Sequence, residues 1–63
     1  MFGYVCDYAL VSPAVLASRL EATFGVLVSW EDRDEESFFL SVWAPAEMQD
    51  TVDAVVAPYF YEE

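Results

Sequence analysis

The side chains of this sequence that could do chemistry are nearly all carboxylates. Twelve Asp and Glu stand against two Arg, with no Lys, no His and one Cys, giving a formal charge of −10 in 63 residues. The densest run is Glu31-Asp32-Arg33-Asp34-Glu35-Glu36. With Asp32 as the first ligand of a calcium loop, Asp34 and Glu36 reach the third and fifth positions. The turn glycine is then Ser37 and the bidentate acid Trp43, so the spacing is not that of an EF-hand. Paired carboxylates do acid–base work when one is buried and the other solvated, whereas these acids are expected in a turn, on exposed helical positions and at the C-terminus. Imidazole, which titrates nearest neutrality, is missing. No Ser-His-Asp set, Cys-His pair, glycine-rich phosphate loop or zinc spacing occurs. The expectation is a non-enzymatic protein with no catalytic residues, no cofactor and no metal.

The same arithmetic restricts partners. Two cations cannot neutralise a row of phosphates or hold an anionic lipid surface, so direct nucleic-acid and membrane binding are not expected. The longest charge-free stretch, residues 8–18, contains Pro13 and falls short of the ~20 residues of a membrane-spanning helix. No basic segment precedes an apolar run at the N-terminus, so no secretory signal is read. Cys6 has no intramolecular partner. A reducing, cytoplasmic location is expected, the host cytoplasm if the chain is phage-encoded, with Cys6 a small core residue.

The elements that must position these acids follow from patterning. Disordered acidic chains are poor in aromatic and branched apolar residues. This one is 57% hydrophobic and 17% aromatic, which predicts a single folded domain over residues 1–63. Residues 2–9 read as a strand. Ser12-Pro13 starts a helix over 13–24, with Ser12 as cap, an apolar stripe of Leu16, Leu20 and Phe24 flanked by Ala14, Val15 and Ala17, and Gly25 as the stop. Residues 26–31 and 37–44 alternate with period two around a polar turn, an antiparallel hairpin. Pro45 opens a second helix striped by Met48, Val52, Val55 and Val56 and ended by Ala57-Pro58.

The fold class is therefore α+β, a compact βαββα with a three-stranded sheet and two helices on one face. A crossover through the first helix sets the first strand parallel to its partner. Residues 59–61 are either a tail or a short fourth strand, which would make the order ferredoxin-like.

On this frame the acids form two arrays. One is the hairpin tip, Glu31, Asp32, Asp34, Glu35 and Glu36, which also reads simply as a solvated turn that guards a β-edge. The other is the helical stripe Glu47, Asp50 and Asp53, neighbours three residues apart that repel without a nearby cation. Glu62 and Glu63 add to them. Surfaces shaped for solubility alone usually mix both signs; a one-sign array resembles the phosphate rows of a duplex and suits a cationic groove. An apolar feature accompanies it. If Val26, Val28, Trp30, Phe38, Leu40 and Val42 face the helices, then Leu27, Phe39 and Trp43 point out of the open sheet face, joined by Tyr4, Cys6 and Tyr8 if Val5 faces the core. Such a patch marks an interface, most simply a homodimer, unless Tyr59-Phe60-Tyr61 folds over it.

Glu31 to Glu36, Glu47, Asp50, Asp53 and Glu62-Glu63 on a compact sheet-and-helix body resemble the small phage-encoded inhibitors that mimic nucleic acid, anti-CRISPR proteins and uracil-DNA glycosylase inhibitors among them. Those families share no motif, so no residue carries over individually. The resemblance implies a stoichiometric inhibitor that evades host defence by filling the DNA or RNA channel of a basic nucleic-acid-binding protein, a defence nuclease complex or repair enzyme. Two other readings stand beside it: a dimeric adaptor using the sheet-face aromatics, and a salt-adapted acidic domain whose self-repulsion is screened.

Overall fold

The computed structural model describes residues 1–62. In chain order it contains β1 (Phe2–Asp7), α1 (Pro13–Phe24), β2 (Leu27–Asp32), β3 (Ser37–Trp43), a 3-10 turn (Ala46–Met48), α2 (Gln49–Val56) and a second 3-10 turn (Ala57–Tyr59). This is the expected α+β order. α1 starts at Pro13, whose missing N–H is no loss at the first helical position. It ends where Gly25 turns left-handed (φ 66°, ψ 31°) and donates its N–H to the Glu21 carbonyl at 2.9 Å. Ser12 is extended there, but its hydroxyl makes no capping hydrogen bond.

The sheet order is β1-β3-β2, with both neighbouring pairs antiparallel. β1 and β2 run in the same direction, as a crossover through α1 requires, but β3 lies between them and splits the parallel pair. The short loop after β2 holds β3 against one of its edges, and β3 offers its other edge to β1. Cross-strand register then assigns the faces. Tyr4 and Cys6 stand opposite Leu40 and Phe38, and Val28 opposite Val42. With Leu16 and Leu20 of α1 and Val52 and Val56 of α2, these residues form the core.

Val5 stands opposite Phe39 on the other side of the sheet. The condition that would have turned Tyr4, Cys6 and Tyr8 outward is therefore not met, and all three belong to the helix-covered side. Cys6 is fully buried, and desolvation pushes its thiol up to about 11, so it stays protonated at neutral pH. Val15 lies outside the buried stripe of α1 and is half exposed. Trp30 is on the helix side but at the sheet edge; it stays 42% exposed and meets Phe38 edge-on at 6.4 Å.

Residues 59–61 are neither a free tail nor a full strand. Phe60 makes one antiparallel bridge with Cys6, and the Tyr61 N–H donates to the Val5 carbonyl at 2.9 Å. The segment thus sits where a fourth ferredoxin-like strand would lie, along the free edge of β1, and leaves the open sheet face uncovered. Among the described residues no helix is long and apolar enough to cross a membrane.

Candidate functional site

The hairpin connecting β2 and β3 is built around one carboxylate. Asp34 Oδ1 accepts the N–H groups of Glu36 and Ser37, both at 2.8 Å, and the Ser37 hydroxyl at 2.9 Å. Its other oxygen takes Arg33 Nη1 at 3.2 Å. This is the local turn chemistry for which Asp is suited, and it seals Ser37, which is fully buried. The hydrogen bond from the Glu36 N–H, followed by the Ser37 hydroxyl, holds the Asp34 carboxyl below its ordinary range. Asp34 is thus a structural member of the tip, and its charge is partly spent inside the loop.

The neighbouring acids are held by tyrosines. Tyr8, just after β1, donates its hydroxyl to Asp32. Tyr61, delivered by the bridge beside β1, donates to Glu36 Oε2 at 2.7 Å, and its phenol is raised chiefly by that bond. The Arg33 guanidinium lies 5.7 Å above the Tyr61 ring. Glu35 makes no hydrogen bond to a described residue and points to solvent.

Strand pairing adds two acids that the hairpin alone does not contain. Asp7 ends β1 opposite Ser37, and its own carboxylate fixes the following turn by accepting the Ala9 N–H at 2.8 Å. Glu62 arrives with the C-terminal bridge. Asp7, Glu35, Glu36 and Glu62, together with the rings of Tyr8 and Tyr61, bound an open cleft of about 410 Å³. Asp32 and Asp34 line an adjoining surface with Tyr8 and Glu35. Among the described residues, one end of the molecule therefore presents six acids, Asp7, Asp32, Asp34, Glu35, Glu36 and Glu62, against the single charge of Arg33. Among the described residues no group of three or more Cys, Asp or Glu is arranged to hold a metal ion.

The structure separates the remaining sequence candidates. Glu31 shares a register position with Phe39 and lies on the open sheet face. Glu47, in the 3-10 turn after β3, and Asp50, in the first turn of α2, lie at the other end of the sheet from the tip, both exposed. Asp53 is not on the wet side of α2. It is half-buried and accepts the hydroxyl of Tyr4, so the expected unrelieved stripe of three is two exposed acids and one bonded acid. Burial, then the bond to Asp53, pushes the Tyr4 phenol upward. Glu63 lies outside the described residues. On the open face, Leu27, Phe39 and Trp43 are exposed by 66%, 42% and 44%.

Sequence reasoning missed Asp7, Tyr8 and Tyr61. Asp7 ahead of a turn was a visible signal, but its membership of the acidic end follows from the pairing of β1 with β3. Fold and site together define a small α+β protein with a split βαβ sheet and one acidic pole. No protein-family model, curated protein or solved structure matches the chain.

Proposed function

We propose that this chain is a non-enzymatic inhibitor that occupies the nucleic-acid site of a basic nucleic-acid-binding protein, a defence nuclease complex or repair enzyme, as anti-CRISPR proteins do. The observation that carries the reading is the acidic pole: carboxylates from β1, the hairpin and the C-terminal segment meet at one end of the fold. Their fixation matters as much as their number. A tyrosine hydroxyl locates a carboxylate without neutralising it, whereas a lysine or arginine would cancel the charge. Tyr8 and Tyr61 fix Asp32 and Glu36 in this way. A prearranged set of negative groups loses less side-chain entropy on meeting a cationic groove than a floppy one, and the groove's Arg and Lys supply charge-assisted bonds. Glu47, in the 3-10 turn before α2, and Asp50, on α2, form a weaker, separate acidic surface.

The test is competition with nucleic acid for a basic partner captured from host lysate. Glu35→Lys with Glu62→Lys reverses two acids without disturbing the turns that Asp34 and Asp7 hold. Inhibition is expected to weaken by about tenfold or more and to fall as salt rises. Full inhibition by that double variant, with unchanged salt dependence, sinks the proposal.

A further inference from the structure

The open face of the sheet has a defined relief. Register aligns Gly3, Ser41 and Ser29 in one row across the three strands. Val5, Phe39 and Glu31 form the row on one side, and Trp43 with Leu27 the row on the other. The floor is low because its side chains are small, and a cleft of about 420 Å³ opens over Gly3, Val5, Glu31, Phe39 and Ser41. Phe39 and Trp43 are four residues apart on β3, which sets their Cα atoms ~14 Å apart, so a helix ~10–12 Å across lying over the strands can rest on both rings and lower its apolar side chains toward the floor between them.

Gly3 has no structural need to be glycine. Its φ is not positive, and a Cβ built there meets nothing within 4 Å. A strand glycine weakens the strand relative to alanine, and where the fold does not require it, close approach of a ligand or another backbone is the physical alternative.

We infer that this trough seats a basic amphipathic helix of a partner protein, apolar side chains between Phe39 and Trp43 and cations toward Glu31 and the acidic pole. The inference rests on the proposed function for the partner's basic character and adds a second contact surface to it. Charge selects the occupant. The apolar walls are rimmed by Glu31 and continue to Asp7 at the pole, and a second copy of this chain, itself carrying a net charge of −10, would be repelled where a basic helix is attracted.

The probe is a helix-forming peptide of leucine and lysine about four turns long, titrated against the whole chain and followed by amide shifts. Gly3, Ser29, Ser41 and Trp43 are expected to move. Gly3→Val, which fills the floor, and Phe39→Ser, which removes a wall, are each expected to weaken binding by about tenfold or more, both variants remaining folded by circular dichroism. A peptide with every leucine replaced by serine should shift only residues of the pole. Unchanged affinity in both variants, shifts confined to the pole, or a homodimer that Phe39→Ser dissolves would each overturn the inference. The Glu35→Lys and Glu62→Lys variant separates the two ideas: trough binding that survives while nucleic-acid competition is unaffected by charge reversal condemns the proposed function and spares the trough.

Discussion

Phe38 and Phe39 are adjacent in the chain and meet opposite fates. Phe38 is fully enclosed between sheet and helices, in contact with the rings of Tyr8 and Trp30. Phe39 stands 42% exposed on a face with no layer over it. The difference runs the length of β3: Leu40 and Val42 are fully buried, while Trp43 is exposed. A sheet has two faces of identical backbone, and in a chain this short only one of them acquires helices. Apolar residues on that side stabilise the fold, and those on the other side are available to another molecule. The acids divide in a parallel way. Asp34 and Asp53 are held within the fold by hydrogen bonds, whereas Glu35 and Asp50 face water.

The largest expected effect tests the covered face. Phe38→Ala should cost about 3–5 kcal/mol, comparable with the entire stability of a small domain, at about 0.05–0.15 kcal/mol per residue. Loss of the cooperative thermal transition is the expected result; a transition at the original temperature would mean that Phe38 is not the centre of the core. Tyr4→Phe comes next, because it deprives half-buried Asp53 of its donor. A loss of about 1 kcal/mol by urea denaturation is expected.

Raising pH probes the same pair. The Tyr4 phenol is raised in the folded state, so its contribution is complete below the ordinary tyrosine value near ~10 and is lost as pH climbs toward the folded value. Wild type should lose stability above that point, and Tyr4→Phe should lose less. At the acid end the sign is opposite. The Asp34 carboxyl is lowered, so its contribution is present above the ordinary value near ~3.9 and disappears as pH falls through the folded one. A lower protection factor at the Glu36 and Ser37 amides, taken against the intrinsic exchange rate at each pH, is the expected readout, and Asp34→Ala should show it already at neutral pH. The smallest effect belongs to the open face. Phe39→Ser should change stability by about 1 kcal/mol or less; a larger loss would mean that this face is covered after all.

Much of the fold was legible because local rules decided it. Pro13 and Gly25 bracket α1 at the expected residues, and the alternation of 37–43 names the inward and outward side chains of β3 correctly. The facing of β1 was not legible. Its apolar and aromatic residues occur on both parities, so Val5 and Cys6 were equally fit for the interior until pairing with β3 chose Cys6. The site was legible in part for the same reason. Asp32, Asp34, Glu35 and Glu36 lie within one five-residue stretch and were found together. Asp7 and Glu62 are distant in sequence and reach the pole through strand pairing and the bridge beside β1. Asp53 looked solvent-facing from helical spacing, and only packing against β1 brought a tyrosine to it.

What the sequence determined alone is composition and period: an excess of uncompensated acid, enough apolar mass to fold, and two strands that alternate cleanly. Those properties belong to residues a few positions apart, where geometry is fixed by the backbone. Tertiary structure decided which edge of β3 received β1, which face was left open and which acids share one end. Those choices join residues tens of positions apart, whose proximity depends on how the whole core closes.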